Sequence, residues 1–183
     1  TRPERILNVF CFFTVLSNLL LGATNCVLVR SPDRRTTVFA ALRLSGVVSI
    51  AVTGVVYHLA LADLASLHGV AAVADVLLHT VTPILGVAGW LVAGPRGATT
   101  GRVVLLSLIY PVAWLVATLI RGAVVGYYPY PFLDATDHGY LRVAMNCGLV
   151  ALLFLGLAAG ARLLERALPA TPANGPSSPP DGR

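Results

Sequence analysis

The chain has 183 residues, 56% of them hydrophobic and only 11% charged, where a soluble domain would be about a quarter charged. Its 13 Arg and 8 acidic residues gather at a few points, separated by apolar runs of roughly 18 to 24 residues, each long enough to cross a ~30 Å hydrocarbon layer. An ordinary soluble enzyme is excluded. So, despite a net charge of +5, is a nucleic-acid-binding protein, because charges that only punctuate apolar helices offer no basic face.

The expected fold is an all-α, polytopic integral membrane bundle of five spans, since a barrel would show alternating segments of ~10 residues. The first span is read over Ile6–Val29. It carries a polar seam at helical spacing, Cys11, Thr14, Ser17, Asn18 and Asn25. Ser and Asn serve widely as glue between helices, and a lone Thr often bonds its own i−4 carbonyl.

The second span, Leu42–Ala62, repeats small polar residues at Ser45, Ser49 and Thr53, a seam for close helix approach, and places Tyr57 and His58 near its far end. The third, Val70–Val92, holds Asp75 and, one turn on, His79. Pro83 lies a further turn along. Proline removes the partner of the His79 carbonyl, so a kink is expected there. An ionisable residue at this depth is by default functional, although an Asp–His pair can also simply tie two helices together.

The fourth span, Val103–Ile120, stacks Ser107, Tyr110, Pro111, Trp114, Thr118 and Arg121 on one face. Arg121 can snorkel to the boundary or meet a fatty-acid carboxylate. A loop follows with the run Tyr127-Tyr128-Pro129-Tyr130-Pro131-Phe132-Leu133-Asp134, an aromatic belt or a lid over a cavity mouth. The fifth span, Leu141–Leu164, contains Asn146 and a Gly156/Gly160 pair, a weak packing signal. Residues 168–183 hold five of the 12 prolines and are expected to be a disordered tail beyond a bundle of residues 1–167.

Alternate ends of the spans carry nine and four Arg. The positive-inside rule then makes the richer end and the C-terminus cytoplasmic, in a multi-pass protein of the cell membrane. Five spans would leave Arg2, Glu4 and Arg5 outside, and a preceding helix is expected to restore an even count. Ile6–Val29 is too long and too polar inside to be a signal peptide.

Cys11, Cys26 and Cys147 form no CxxC pair, and His58, His68, His79 and His138 are scattered. No metal site or cofactor is expected, which argues against a di-metal oxygenase. A rhomboid-type protease is disfavoured because no Gly-x-Ser-Gly segment is present.

Counted from the same side, Thr14 lies 8 residues in from Ile6 and His79 lies 9 in from Val70, about 12–14 Å deep in both cases. If the two helices are neighbours, hydroxyl and imidazole can meet, with Asp75 behind the ring. Hydroxyl, base and orienting acid is the logic of nucleophilic catalysis.

Phe12-Phe13-Thr14 with Ser17-Asn18, His79-Thr80-Val81-Thr82-Pro83, and Tyr130-Pro131-Phe132-Leu133-Asp134 together resemble the androgen-induced and androgen-dependent TFPI-regulating protein family and its prokaryotic six-span relatives. The likeness runs from about Arg5 to Leu164, and this chain starts where the family's second span would start. Animal members hydrolyse fatty acid esters of hydroxy fatty acids with a Thr and a His. The resemblance implies Thr14 as nucleophile and His79 as base. Ser17, Asn18, Tyr57, His58, Tyr110, Trp114, Arg121, Tyr130 and Phe132 are then expected around a lipid or fatty-acid ester, among membrane lipids. The competing expectation is a non-enzymatic receptor, carrier or lipid-binding protein whose polar seam is a binding site.

Overall fold

A computed structural model describes residues 8–64 and 66–168. Arg2, Glu4 and Arg5, and all of the expected tail except Leu168, lie outside the described residues. Among the described residues all regular structure is helical. Five helical segments are long and apolar enough to span a membrane: Phe13–Arg30, Thr37–Leu64, Val70–Val92, Gly101–Val125 and Ala135–Ala167. In finer detail these are α1 (Phe13–Arg30), α2 (Thr37–Val56) running into a π turn (Tyr57–Leu61), α3 (Val70–Val76), a second π turn (Leu77–Val81), α4 (Thr82–Val92), α5 (Gly101–Ser107), α6 (Ile109–Val125) and α7 (Ala135–Ala167).

The bundle is organised around α2. In that span 78% of the most apolar window is buried, against 22% or less in the other four, whose Leu19, Val73, Ile84, Val116 and Leu152 stay exposed, as suits a surface facing lipid. The small residues of α2 let its neighbours close in. A Cβ at Gly46 would stand 3.3 Å from the Leu21 backbone of α1, and one at Gly54 would stand 3.0 Å from the Pro83 ring of α4. One core cluster joins Leu44, Val48 and Val52 of α2 to Val103 and Phe154. Another joins Val47 and Ile50 to Leu21 and Trp90.

Prolines shape two spans. In the fourth, Pro111 has no N–H for the Ser107 carbonyl. The helix breaks at Leu108, and the Ser45 hydroxyl of α2 donates to that carbonyl at 2.9 Å. In the third, the expected kink at Pro83 takes the form of a π turn just before the proline. There the Thr82 N–H and hydroxyl both turn back to the Leu77 carbonyl, the hydroxyl at 2.8 Å. The carbonyl of His79 points at the space a Gly54 side chain would fill.

Two expectations are corrected. The span expected over Ile6–Val29 is interrupted among its described residues: α1 begins at Phe13, after an extended Phe12 (φ −71°, ψ 128°). The Trp114 indole N–H takes the Cys11 carbonyl at 2.9 Å, and Phe13 stacks on Tyr110. These aromatic partners hold Cys11 and Phe12 in the non-helical link before α1. Nor do Gly156 and Gly160 form a packing seam among the described residues, because nothing there lies within 4 Å of a Cβ at either.

At the Arg-rich end, buried Arg43 donates to the carbonyls of Ala93 (2.9 Å) and Pro95 (3.4 Å). Buried Glu165 of α7 accepts the Ala98 and Thr99 amides at 3.2 and 3.0 Å. Burying these charges is tolerable because their hydrogen bonds are satisfied, and they fix the 93–100 connection to α2 and α7.

Candidate active site

The site forms where three spans meet at the end of the bundle opposite Glu165. Both π turns lie there, and such turns are frequent at functional sites. The first opens at Tyr57. The second carries His79, one turn after Asp75 on α3. The Asp75 carboxylate accepts from His79 Nδ1 at 2.9 Å. With its proton committed to Nδ1, the ring presents Nε2 as an acceptor. Opposite Nε2, at 3.3 Å, is the Thr14 hydroxyl. Tyr57 secures the arrangement twice: its ring lies parallel to the imidazole (centroids 4.1 Å apart, 12° between planes), and its hydroxyl donates to the other Asp75 oxygen.

Thr14 is 4% exposed and sits in the first turn of α1. Asn18, a turn later, donates to the Thr14 carbonyl at 2.8 Å, and Ser17 exchanges a 3.1 Å hydrogen bond with the Tyr110 hydroxyl. The depth match between Thr14 and His79 is realised, though by another route than a long first helix: α1 starts inside the bundle, next to the imidazole. The amide and hydroxyl of Thr14 each lie 3.3 Å from the Tyr130 hydroxyl.

Thr14 and His79 open onto a cavity of about 230 Å³. Its wall is almost wholly apolar, built from Val52, Val56, Leu61, Leu108, Pro111, Val112, Trp114, Leu115, Phe132, Leu133, Val150, Phe154 and others. Tyr130 also lines it, so the 127–134 segment is part of the wall and not merely an aromatic belt. That segment is held by the Asn146 amide, which donates to the Phe132 carbonyl at 2.9 Å. It is held too by the packing of Tyr130 on Phe12, Trp114 and Phe132. Burial raises the Tyr130 phenol above its ordinary value, against the hydrogen bonds of Thr14, which lower it.

Of the residues expected around a substrate, Trp114, Tyr130 and Phe132 line this cavity, whereas Ser17, Asn18, Tyr57, His58, Tyr110 and Arg121 are not part of its wall. Ser17 and Tyr110 are spent on each other. Tyr57 sits behind the histidine. His58 is exposed and paired with Thr80 at 3.1 Å. Arg121 donates to the Asn8 side chain at 2.6 Å and lies over the Tyr127 ring. Asn25 of the expected seam is exposed, and Thr24 is the buried residue instead. Sequence reasoning missed the part played by Tyr57, whose partners Asp75 and His79 lie on another span, and missed the contact of Tyr130 with Thr14, which is 116 residues distant. Among the described residues no cluster of three or more His, Cys, Asp or Glu is grouped to hold a metal ion. Compared with protein-family models, with curated proteins and with solved structures, the chain matches none.

Proposed function

We propose that this chain is an intramembrane threonine hydrolase that cleaves fatty-acyl esters through an acyl-threonine intermediate. The observation that carries the reading is the Thr14–His79–Asp75 alignment, 3.3 Å and 2.9 Å, at the wall of an apolar cavity. A base must lie within hydrogen-bond reach of the proton it removes, and a third group must fix its tautomer. Both conditions are met. The cavity supports the choice of substrate class. Its volume of about 230 Å³ and almost wholly apolar wall suit an acyl chain, since ligand sites of this kind are lined mainly by apolar side chains. The resemblance of the segments around Thr14, His79 and Tyr130 to a family of fatty-ester hydrolases points the same way.

In the reaction, Thr14 Oγ1 attacks the ester carbonyl as its proton passes to His79 Nε2. Asp75 steadies the imidazolium. Collapse of the tetrahedral intermediate breaks the bond to the alcohol, which leaves with the proton from His79. Water then repeats the sequence on the acyl-threonine, giving the fatty acid and restoring Thr14. Eight of the ten described Arg lie at the end away from the site. The positive-inside rule then puts the site toward the outer face of the cell membrane and the C-terminus in the cytoplasm.

A fluorophosphonate probe on the purified protein tests the reading. Labelling should occur on the wild type and disappear in Thr14→Ala; labelling that survives the substitution sinks the mechanism. The same cavity would serve a lipid-binding or carrier protein. Tight fatty-acid binding with no turnover, unchanged in Thr14→Ser, would decide for that reading.

A further inference from the structure

A helix that begins inside an apolar bundle leaves its first amides without intrahelical acceptors. In α1 these include the N–H groups of Phe13 and Thr14. The acceptor they find is the Tyr130 hydroxyl, 3.3 Å from the Thr14 nitrogen and within reach of the Phe13 amide. The same phenol oxygen is 3.3 Å from Thr14 Oγ1. When the Thr14 proton is directed to His79 Nε2, the proton of Tyr130 is left to point at Thr14 Oγ1. Tyr130 is 8% exposed, and its ring is fixed edge-on to Phe12 and parallel to Phe132 at 5.6 and 5.4 Å. A donor held beside the nucleophile, on amides that also converge there, stands where charge develops in acyl transfer.

We propose that Tyr130 is the oxyanion-stabilising residue of this site. In the resting protein its oxygen fills the amide pocket at the start of α1. In the transition state the substrate carbonyl oxygen takes over the Thr14 N–H, and the Tyr130 hydroxyl shifts aside to donate a hydrogen bond to it. As the bond from Thr14 Oγ1 to carbon forms, the carbonyl π pair moves onto that oxygen and the Thr14 proton passes to His79. The O–H bond of Tyr130 stays intact throughout. Filling the pocket beforehand keeps buried amides satisfied without substrate, and the exchange swaps one set of hydrogen bonds for another. The raised phenol pKa agrees with this role, since the hydroxyl keeps its proton in neutral solution.

The inference rests on Thr14 and His79 acting as a hydrolase, and the test separates the two. Tyr130→Phe keeps the ring packing and removes only the hydroxyl. Three quantities are measured on wild type and variant: hydrolysis of a long-chain nitrophenyl ester, inhibition by a long-chain trifluoromethyl ketone that forms a hemiketal with the nucleophile, and affinity for the free fatty acid. The expected result is a ~10²–10³-fold fall in kcat, a KM within a few-fold of wild type, ketone inhibition weakened by a similar factor, and unchanged fatty-acid affinity. Wild-type kcat in the variant overturns the role of Tyr130 and leaves the hydrolase standing. So does a loss of fatty-acid affinity that parallels the loss of rate, which marks Tyr130 as cavity wall only. A wild type that neither turns over the ester nor is inhibited by the ketone overturns the hydrolase reading and this proposal with it.

Discussion

Gly54→Ala is the sharpest probe of how the site is held, because Gly54 touches no reacting group. Its Cβ would meet Pro83 Cβ at 3.0 Å, Pro83 Cγ at 3.2 Å and the His79 carbonyl oxygen at 3.4 Å. Carbon atoms pack best at about 3.5–4.0 Å, so α4 and the π turn before it must retreat from α2 by roughly 0.5–1 Å. Pro83 is a rigid ring and cannot swing away. The retreat is therefore transmitted to His79, whose Nε2 already stands 3.3 Å from Thr14 Oγ1. Opening that gap toward 4 Å takes the base out of hydrogen-bond reach, and a misplacement near 1 Å costs about 10²-fold in rate. The expected outcome is a ~30- to 100-fold lower kcat on a long-chain nitrophenyl ester, with overpacking costing about 1–3 kcal/mol of stability. Gly89→Ala is the control, since nothing lies within 4 Å of its Cβ; it should leave the rate untouched. A Gly54→Ala protein that folds, keeps wild-type kcat and labels at the wild-type rate would refute the reasoning that α2 sets the position of His79.

Asp75→Asn should lower kcat by about 10³–10⁴-fold with the protein still folded. An amide facing Nδ1 lets the imidazole proton move to Nε2, where it confronts the Thr14 hydroxyl instead of accepting from it; a loss below tenfold in ester turnover would count against the alignment. Gly122→Ala should destabilise the 127–134 loop, because a Cβ there falls 2.1 Å from the Tyr128 ring. Faster proteolysis in this loop and several-fold slower turnover are expected, and wild-type resistance would show that Tyr128 moves away at no cost. Glu165→Gln should lower thermal stability by roughly 1–2 kcal/mol. It weakens the acceptor for the Ala98 and Thr99 amides while leaving kcat/KM intact, since it acts at the other end of the bundle.

The spans could be read from the chain because apolar length is a property of composition alone. Each of the five windows located by hydropathy contains one of the helical segments or lies largely within one. Asp75 and His79 were legible for a related reason: charge inside an apolar run is rare enough to mark itself. What could not be read is where regular geometry fails. A window that runs through Cys11-Phe12-Phe13 gives no sign that the rings of Phe12 and Phe13 have partners on α6 and in the 127–134 loop, and those partners are what start α1 at Phe13. Likewise Tyr57 reads from the sequence as a residue beside the substrate. Its partners are instead Asp75 and His79 of the third span, which no spacing within its own segment reveals. Ser17 and Tyr110 were each drawn to the cavity by their faces, but they satisfy one another, a pairing between helices that neither sequence segment contains.

These misses share a cause that bears on function. A regular helix keeps its polar backbone to itself, which is what lipid requires, but it then has no amides or unusual side-chain directions to offer a substrate. Three places where this bundle departs from regularity are met by polar partners. Ser45 answers the carbonyl released by Pro111, Thr82 answers the widened turn before Pro83, and Tyr130 answers the amides exposed by the late start of α1. The first two complete their exchange within the protein and are structural. The third differs, because its hydroxyl also reaches the Thr14 side chain and stands at the cavity wall. Of the three it is the one a substrate oxygen can replace, and so the irregular start of α1 is the place where the fold passes into chemistry.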